Sequence, residues 1–345
     1  MNLIFLSLQH FRSYNHKNFN FDKNLTIIIG PNAAGKTNIL EAIYLLATGE
    51  SFRAGKIDEM ITFDQVVGRV SGRVRVSQSE DIDLEVVLTT GLVSGQKVPK
   101  RKYLVNDIAR RKNTFNDYLS ATIFLPEHLR LISGSPSLRR EYLNSILSQV
   151  DKNYYRSLVS YNKALRRRNK LLDLIREGQT KASSLTFWDN LVIKNGNVLT
   201  TKRREFIDYL NINSSNGLTV RYDHSAISEA RLKQYEREEI AAGFTLVGPH
   251  KDDFQVFESD KDLAAYGSRG EQRMAILWLK GQELDYFESQ TQTRPVLILD
   301  DIFSELDGAH RQEVWSWCTK QQTIITTTDA RDIKDTTHAQ IITLK

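Results

Sequence analysis

Apolar and polar positions change rhythm along the chain. Residues 3–11 and 19–21 read as strands flanking a turn at Ser13-Tyr14-Asn15. The apolar run Ile27-Ile28-Ile29 stops at Gly30, and after Gly35 the positions Ile39, Leu40, Ala42, Ile43 and Leu46 recur at helical spacing. A buried strand, a tight turn and a helix are expected in succession. Residues 66–76 and 82–89 alternate apolar with polar, as half-buried antiparallel strands do. From about residue 127 to 239 the texture is helical: Tyr142, Ile146, Val150, Tyr154, Leu158, Tyr161 and Leu165 recur at helical spacing, and a second helical stretch spans residues 187–210. The segment Gly178-Gln179-Thr180-Lys181-Ala182-Ser183-Ser184 interrupts that periodicity after too few heptads for a rod-like coiled coil. Strand-like runs return at residues 295–300 and 322–328. The pattern predicts an α/β domain split in sequence, with parts at 1–120 and 241–345 and an inserted helical domain at 121–240.

The turn in the first part carries recognisable chemistry. Gly30, four residues, then Gly35-Lys36-Thr37 is the Walker A spacing, here Gly30-Pro31-Asn32-Ala33-Ala34-Gly35-Lys36-Thr37-Asn38. The glycines let successive backbone N–H groups point inward at an oxyanion. Lys36 supplies a point charge for the terminal phosphates of ATP, Thr37 a hydroxyl for Mg²⁺, and the helix N-terminus a further partial positive charge. Farther on, the apolar run from Pro295 ends in Asp300-Asp301. A parallel strand buried on both faces reads this way, and ligands bind at its C-terminal end. Asp300 is expected to hold Mg²⁺ with Thr37, and Asp301 to orient water for hydrolysis beside Lys36. Ser268-Arg269-Gly270-Glu271-Gln272 precedes a helix, with Ser268 placed to cap it and Gly270 leaving its start open to a ligand.

The Walker loop, Ser-x-Gly before a helix, an apolar strand ending in two acids, and Ser304-Glu305-Leu306-Asp307 follow one another in that order around a long insert. This arrangement resembles the ABC-type ATPases of the SMC and RecF group. The resemblance covers nearly the whole chain. It includes Leu8-Gln9-His10-Phe11-Arg12-Ser13-Tyr14, Leu125-Pro126-Glu127, Gly134-Ser135-Pro136-Ser137-Leu138-Arg139-Arg140, Gly248-Pro249-His250-Lys251-Asp252-Asp253-Phe254 and Ile325-Thr326-Thr327-Thr328-Asp329. It implies an ABC-type P-loop ATPase head, a mixed sheet with a β-rich flap, carrying an inserted helical domain and no long coiled coil. Two such heads would sandwich two nucleotides head to tail, so that Ser268 and Gly270 reach the γ-phosphate held by the other subunit and Ser304 to Asp307 cross the interface. Arg12 would lie beside the phosphates.

The resemblance further implies a cytoplasmic protein of DNA replication, recombinational repair and the SOS response. It would dimerise on ATP and clamp double-stranded DNA at gaps or single-strand/double-strand junctions, helping to load recombinase with a mediator of the RecR kind. The motifs depart from the wider ABC pattern: the signature is not Ser-Gly-Gly-Gln, no histidine stands at Thr326-Thr327-Thr328, and the second acid is an aspartate. Glu127 is the one stand-in for a Q-loop glutamine. These departures point to slow hydrolysis used as a release switch, which the resemblance implies is weak and DNA-stimulated, and they count against the alternative of a transporter-type ABC ATPase subunit. A small-molecule kinase would leave Ser268 and Ser304 to Asp307 without purpose.

Charge adds a partner. The 345 residues carry a net charge of +5. Arg139, Arg140, Lys152, Arg156, Lys163, Arg166, Arg167, Arg168 and Lys170 crowd one helical stretch poor in acids. They are either a solvated face or a DNA-binding surface whose contacts are sequence-independent and salt-sensitive; the resemblance favours DNA. Lys97, Lys100, Arg101, Lys102, Arg110, Arg111 and Lys112 form a second basic stretch. The interleaved tyrosines read as core. Cys318 is the single cysteine, which excludes an intramolecular disulfide and fits a reducing compartment. No run approaches a membrane span, and the histidines lack metal-ligand spacing. His250 reads as a loop histidine satisfied by its neighbours, and Lys251, Asp252 and Asp253 receive no role.

Overall fold

The structure, a computed structural model, describes residues 1–77, 79–214, 217–329 and 339–345. It divides into two compact units, one of residues 1–127 with 287–345, the other of residues 128–286.

The first unit contains two sheets of opposite character. β1 (Asn2–Phe11), β2 (Tyr14–Asn20), β4 (Val67–Ser77), β5 (Glu80–Thr89), β8 (Arg101–Val105) and β9 (Ile108–Arg110) form an antiparallel sheet in the order β2-β1-β4-β5-β8-β9. Along β4 the buried positions Gly68, Val70, Gly72 and Val74 alternate with Arg69, Arg73 and Arg75, so one face is core and the other solvent. The outer face carries cross-strand ion pairs, Arg73 with Asp83 at 2.8 Å and Arg75 with Asp81 at 2.9 Å. The short pair β6 (Leu92–Val93) and β7 (Gln96–Lys97) and the turn of helix α2 (Lys112–Phe115) complete this flap.

The second sheet is wholly parallel: β10 (Ala121–Phe124), β14 (Val296–Asp300), β15 (Thr323–Thr327), β3 (Leu25–Ile29) and β16 (Gln340–Thr343) stand in that order. β14 and β15 are buried at every position, which is why they read as continuous apolar and threonine runs. The expected mixed sheet therefore resolves into one antiparallel and one parallel sheet. Helix α1 (Lys36–Thr48) joins them, burying Ile39, Leu40, Ile43 and Leu46 in one core with Leu3, Leu6, Val70 and Val86 of the flap and Ile28, Ile298 and Ile324 of the parallel sheet. α1 and β4 approach so closely at Gly72 that a Cβ there would lie 2.6 Å from Leu46 Cδ1. Helix α10 (Gly308–Cys318) is capped by Asp307, whose carboxylate accepts from His310 N at 3.2 Å.

In the second unit, α3 (Pro136–Val150), α4 (Lys152–Arg176) and α5 (Thr186–Ile212) pack with a small antiparallel sheet of β11 (Leu218–Asp223), β12 (Asp253–Glu258) and β13 (Lys261–Asp262). The long run of helical spacing breaks at Asp151, whose carboxylate accepts from Asn153 N at 2.7 Å and Tyr154 N at 2.9 Å and so starts a new helix. β11 pairs with β12 from Leu218↔Glu258 to Asp223↔Asp253, so strand pairing crosses the expected boundary near residue 240. Short helices α6 (Glu229–Gln234), α7 (Glu236–Ala242) and α8 (Leu263–Tyr266) lead to α9 (Arg269–Thr291).

The Gly248-Pro249-His250-Lys251-Asp252-Asp253 segment is the hub of this unit. Asp252, with no exposure, accepts from Arg203 Nη1 at 2.8 Å, from Ser225 N at 2.8 Å and from the Tyr222 hydroxyl. Arg203 also donates to Pro249 O at 2.7 Å, Asn144 Oδ1 at 3.0 Å and the Tyr154 hydroxyl at 3.1 Å. Asp253 takes two bonds from Arg139, at 2.6 and 2.9 Å. His250 lies between the Tyr161 hydroxyl at 2.7 Å from Nδ1 and Thr245 O at 2.9 Å from Nε2. A carbonyl only accepts, so Nε2 bears the hydrogen and Tyr161 donates to Nδ1. Buried charges are thus paired throughout, as burial requires.

Candidate active site

The C-terminal ends of β3 and β14 flank a cleft of about 250 Å³ lined by Asn32, Ala33, Gly35, Lys36, Thr37, Asn38, Arg53, Pro126, Asp300 and Asp301. β3 hands directly into the loop. Gly35 adopts φ +92°, and a Cβ there would lie 2.7 Å from the Tyr14 hydroxyl, so only glycine fits. Ala33 holds φ +67° without being glycine, a strain of about 1–3 kcal/mol of the kind that gathers at binding loops. No side chain caps α1; Asn38 N donates to Gly35 O at 3.0 Å, and the amides of Lys36 and Thr37, two residues of the lining, are the ones available to a ligand.

Lys36 is buried, and its Nζ donates to Gly30 O at 2.6 Å and Pro31 O at 3.0 Å. Gly30, Pro31 and Ala34 thereby shape the loop without lining the cleft, Ala34 through its carbonyl, which accepts from Tyr14 at 3.4 Å. The Thr37 hydroxyl donates to Asp300 Oδ2 at 3.0 Å. The β14–β15 register sets Asp300 beside Thr326, whose hydroxyl donates to Asp300 Oδ1 at 2.6 Å. Asp301 takes φ +50°, its N–H donating to Thr326 O at 3.1 Å, and this turn brings it to the cleft.

These groups fit a nucleotide with a divalent cation. A hydroxyl and a carboxylate 3.0 Å apart are hard oxygen ligands of the type Mg²⁺ takes alongside phosphate oxygens. Among the described residues no cluster of three or more His, Cys, Asp or Glu forms an all-protein metal cage.

Two cleft features were not singled out in the sequence. Arg53 lines the cleft beside Asn38, to whose Oδ1 it donates. Glu41, four residues after Thr37 on α1, has no exposure and accepts from Arg53 Nε at 2.9 Å and Arg12 at 2.6 and 2.8 Å. Burial pushes the Glu41 carboxyl up, but hydrogen bonds from Arg12 and Ser51 and the charge of Arg53 win and hold it below the usual carboxylate range. Arg12 is outside the lining: its guanidinium is engaged by Glu41 and, at 2.5 Å, by Glu59 O, and the arginine that lines the cleft with Lys36 is Arg53. Glu127 is exposed and outside the lining, where Pro126 stands instead.

The signature residues belong to the second unit. Ser268 Oγ accepts from Glu271 N at 3.3 Å while Glu271 Oε2 accepts from Ser268 N at 2.6 Å, a reciprocal capping box. The Lys261 ammonium and the Ser268 contacts hold Glu271 at about 2. Ser268 and Gly270 are exposed, and a Cβ on Gly270 would meet nothing nearer than Ser268 Oγ at 4.0 Å, so no contact within the chain demands glycine there.

The basic stretch needs correction. Arg139 is buried against Asp253 and the carbonyls of Leu131, Ile132 and Gly134. Arg168, 1% exposed, is held by Asp189 at 2.6 Å, Glu239 at 2.7 Å and Thr245 Oγ1 at 2.8 Å. Both are structural cations with no face for a phosphate. Arg140 is half-buried and donates to Asp252 O at 2.9 Å. Arg166 and Arg167 are exposed, with Lys163 and Lys170 on the same helix.

A second concavity, about 260 Å³ at the opposite ends of β14 and β15, is lined by residues such as Arg294, Lys320 and Gln321 and holds no acid for a metal. The chemistry lies in the Walker cleft.

A P-loop at the end of a parallel sheet, an aspartate at the end of the next strand but one within hydrogen-bond reach of the loop threonine, an antiparallel flap and a Ser-x-Gly helix start together define an ABC-type ATPase head. The sequence model of the RecF/RecN/SMC N terminal domain matches residues 2–344. The DNA replication and repair protein RecF of Herpetosiphon aurantiacus is 35% identical over 97% of this chain and 95% of its own length. That of Ligilactobacillus salivarius is 33% identical over 95% and 91%. A solved structure described as the recombination mediator protein RecF-ATPrS in the RecFOR pathway superposes with a TM-score of 0.87 at 30% identity, covering 96% of this chain and 94% of that one. The Smc head domain from Pyrococcus furiosus, 17% identical with a TM-score of 0.50, shares the fold alone. The chain belongs to the RecF family.

Proposed function

We propose that this protein is an ATP-dependent DNA-binding protein of DNA replication and recombinational repair, acting within the cytoplasm and the SOS response. The observation that carries the reading is the Thr37–Asp300 pair, 3.0 Å apart from positions 263 residues distant, beside the buried Lys36. Lys36 is the charge that moves from the carbonyls of Gly30 and Pro31 to the β- and γ-phosphates, and Arg53 supplies a second cation. Thr37 and Asp300 would hold Mg²⁺, which when bound would neutralise phosphate charge. Asp301 is the carboxylate placed to orient the attacking water. Residues 32–38 cradle the phosphates.

Two heads would close on ATP, each offering exposed Ser268 and Gly270 to the nucleotide of the other, with Ser304 and Asp307 at the interface. Closure would tighten a clamp on double-stranded DNA at gaps or junctions, through Arg166, Arg167 and in part Arg140, and a mediator of the RecR kind would receive the DNA for recombinase loading. The descriptions of the RecF relatives, in repair and in an ATP-bound mediator of the RecFOR pathway, support this reading. Slow hydrolysis would release the clamp. Among the described residues no helix is long and apolar enough to cross a membrane.

The test is the solution mass with ATP, with ADP and with neither, each with and without gapped duplex. The expected result is an ATP-specific dimer that holds the duplex most tightly. Mass and DNA affinity indifferent to nucleotide would refute the reading.

A further inference from the structure

Glu41 is an unusual place for a charge. It sits one turn beyond Thr37 on the phosphate-loop helix with no exposure, yet it makes no part of the cleft wall. Its two oxygens accept four bonds: Arg12 Nη2 at 2.6 Å and Ser51 Oγ at 2.5 Å on Oε1, Arg12 Nε at 2.8 Å and Arg53 Nε at 2.9 Å on Oε2. A carboxylate whose lone pairs are this fully used is geometrically fixed. Arg12 is itself fixed, its remaining hand on Glu59 O at 2.5 Å. It therefore acts as a rigid counter-charge behind Glu41. Arg53 differs: its side chain is 37% exposed, it lines the cleft, and among the described residues its hands are guided by Glu41 and Asn38. Glu41 thus couples a static arginine to one that faces the ligand.

We propose that Glu41 is a positioning residue that aims Arg53 at the terminal phosphate, so that this buried carboxylate, which never touches nucleotide, sets the preference for ATP over ADP. The inference rests on the nucleotide reading above. Lys36, the loop amides and the Thr37–Asp300 pair keep the β-phosphate that both nucleotides carry, whereas an arginine held at the rim of the cleft adds binding that grows with the last phosphate. A freed Arg53 would spread its rotamers into solvent and lose that selectivity, because an unguided long side chain gives up entropy for each bond it forms. Glu41 acts by geometry: the amide of Glu41→Gln is isosteric but cannot accept all four donors.

The experiment is equilibrium titration of the full chain with ATP and with ADP, for wild type, Glu41→Gln, Arg53→Ala and the double variant. The expected result is about a tenfold loss of ATP affinity in each single variant with ADP affinity kept within about twofold, and no further loss in the double variant, because both changes remove one coupled interaction. A merely structural role for Glu41 would weaken ATP and ADP alike, and additive losses would show that Arg53 does not need Glu41. Either result overturns the inference. Should Glu41→Gln fail to fold, Glu41→Asp keeps the charge and shortens its reach by one methylene; it is expected to show the same selective loss, and a wild-type ATP/ADP ratio in it overturns the inference equally. Wild-type protein that binds neither nucleotide refutes the nucleotide reading and this inference with it, an outcome distinct from those in which wild type binds and the variants do not discriminate.

Discussion

Replacing Asp252 with asparagine removes one charge from the hub of the second unit while keeping its shape. The side chains of Arg203 and Asp252 are 2% and 0% exposed, so no water takes over the lost charge. Arg203 would keep Pro249 O, Asn144 Oδ1 and the Tyr154 hydroxyl, all neutral. The new amide would bring two hydrogens into a nest where Arg203, Tyr222 and Ser225 N already donate. Removing one member of a buried pair costs about 3–5 kcal/mol, whereas Asp83→Asn, at an exposed pair with 51% and 60% accessible side chains, serves as a control expected to lose under about 1 kcal/mol. Native-state hydrogen exchange of the slowest α4 and α5 amides reads this unit by itself. About 3 kcal/mol corresponds to exchange more than a hundredfold faster. The double change Arg203→Met with Asp252→Leu is expected to regain much of the loss, since an apolar replacement leaves no orphaned charge. If Asp252→Asn exchanges within about 1 kcal/mol of wild type, the hub is not the anchor described above.

Alanine at both Arg166 and Arg167 is expected to weaken DNA binding without destabilising the fold and to lower the slope of log affinity against log salt by about 0.9 for each phosphate no longer neutralised; an unchanged slope removes these residues from the interface. Acid stability is expected to depend on His250. Burial, then the charges of Lys251 and Arg140, pushes its pKa below the ordinary value, so the stability it confers is complete above about pH 6.5 and is lost as pH falls toward the folded-state pKa. Denaturation midpoints at pH 7.5 and 5 should therefore differ less in His250→Gln than in wild type, and equal differences would contradict the assignment.

The cleft was legible where its chemistry is local. Residues 30–38 carry loop, charge, hydroxyl and helix in one stretch, and Asp300 follows an apolar run that only a doubly buried strand explains. Glu41 and Arg53 were not legible, because their meaning comes from the approach of α1 and the segment after it to Arg12 at the end of β1, and neither was the Thr326–Asp300 contact, because the order β10-β14-β15-β3-β16 that sets it has no trace in periodicity. The arginines teach a different lesson. Arg166, Arg167 and Arg168 look alike as a run, but Arg168 follows Tyr161 by one heptad and Tyr154 by two, on the buried stripe of α4. Arg139 likewise precedes Tyr142 by one turn and Ile146 by two on α3. Helical phase, which marks the tyrosines as core, equally sorts the structural arginines from the solvent-facing ones. Composition alone pools them.

The strand that feeds the phosphate loop is made early and completed late. β3 pairs on one side with β15, as Ile27↔Ile325, and on the other with β16, as Ile28↔Ile342. At ribosomal speeds of about 5–20 residues per second, the separation of roughly 300 residues is some 15–60 s during which Leu25-Thr26-Ile27-Ile28-Ile29 has no sheet to join. The second unit, contiguous in sequence, can fold in that interval. An apolar β-prone segment left waiting is a natural seed for aggregation, and Asp22, Lys23 and Asn24 stand immediately before it as charged and polar guards. The cleft is therefore finished only near the end of synthesis: a chain truncated before β15 has Lys36 and Thr37 but no Asp300–Thr326 pair to set them against, and it carries an unpaired apolar strand in place of a completed cleft.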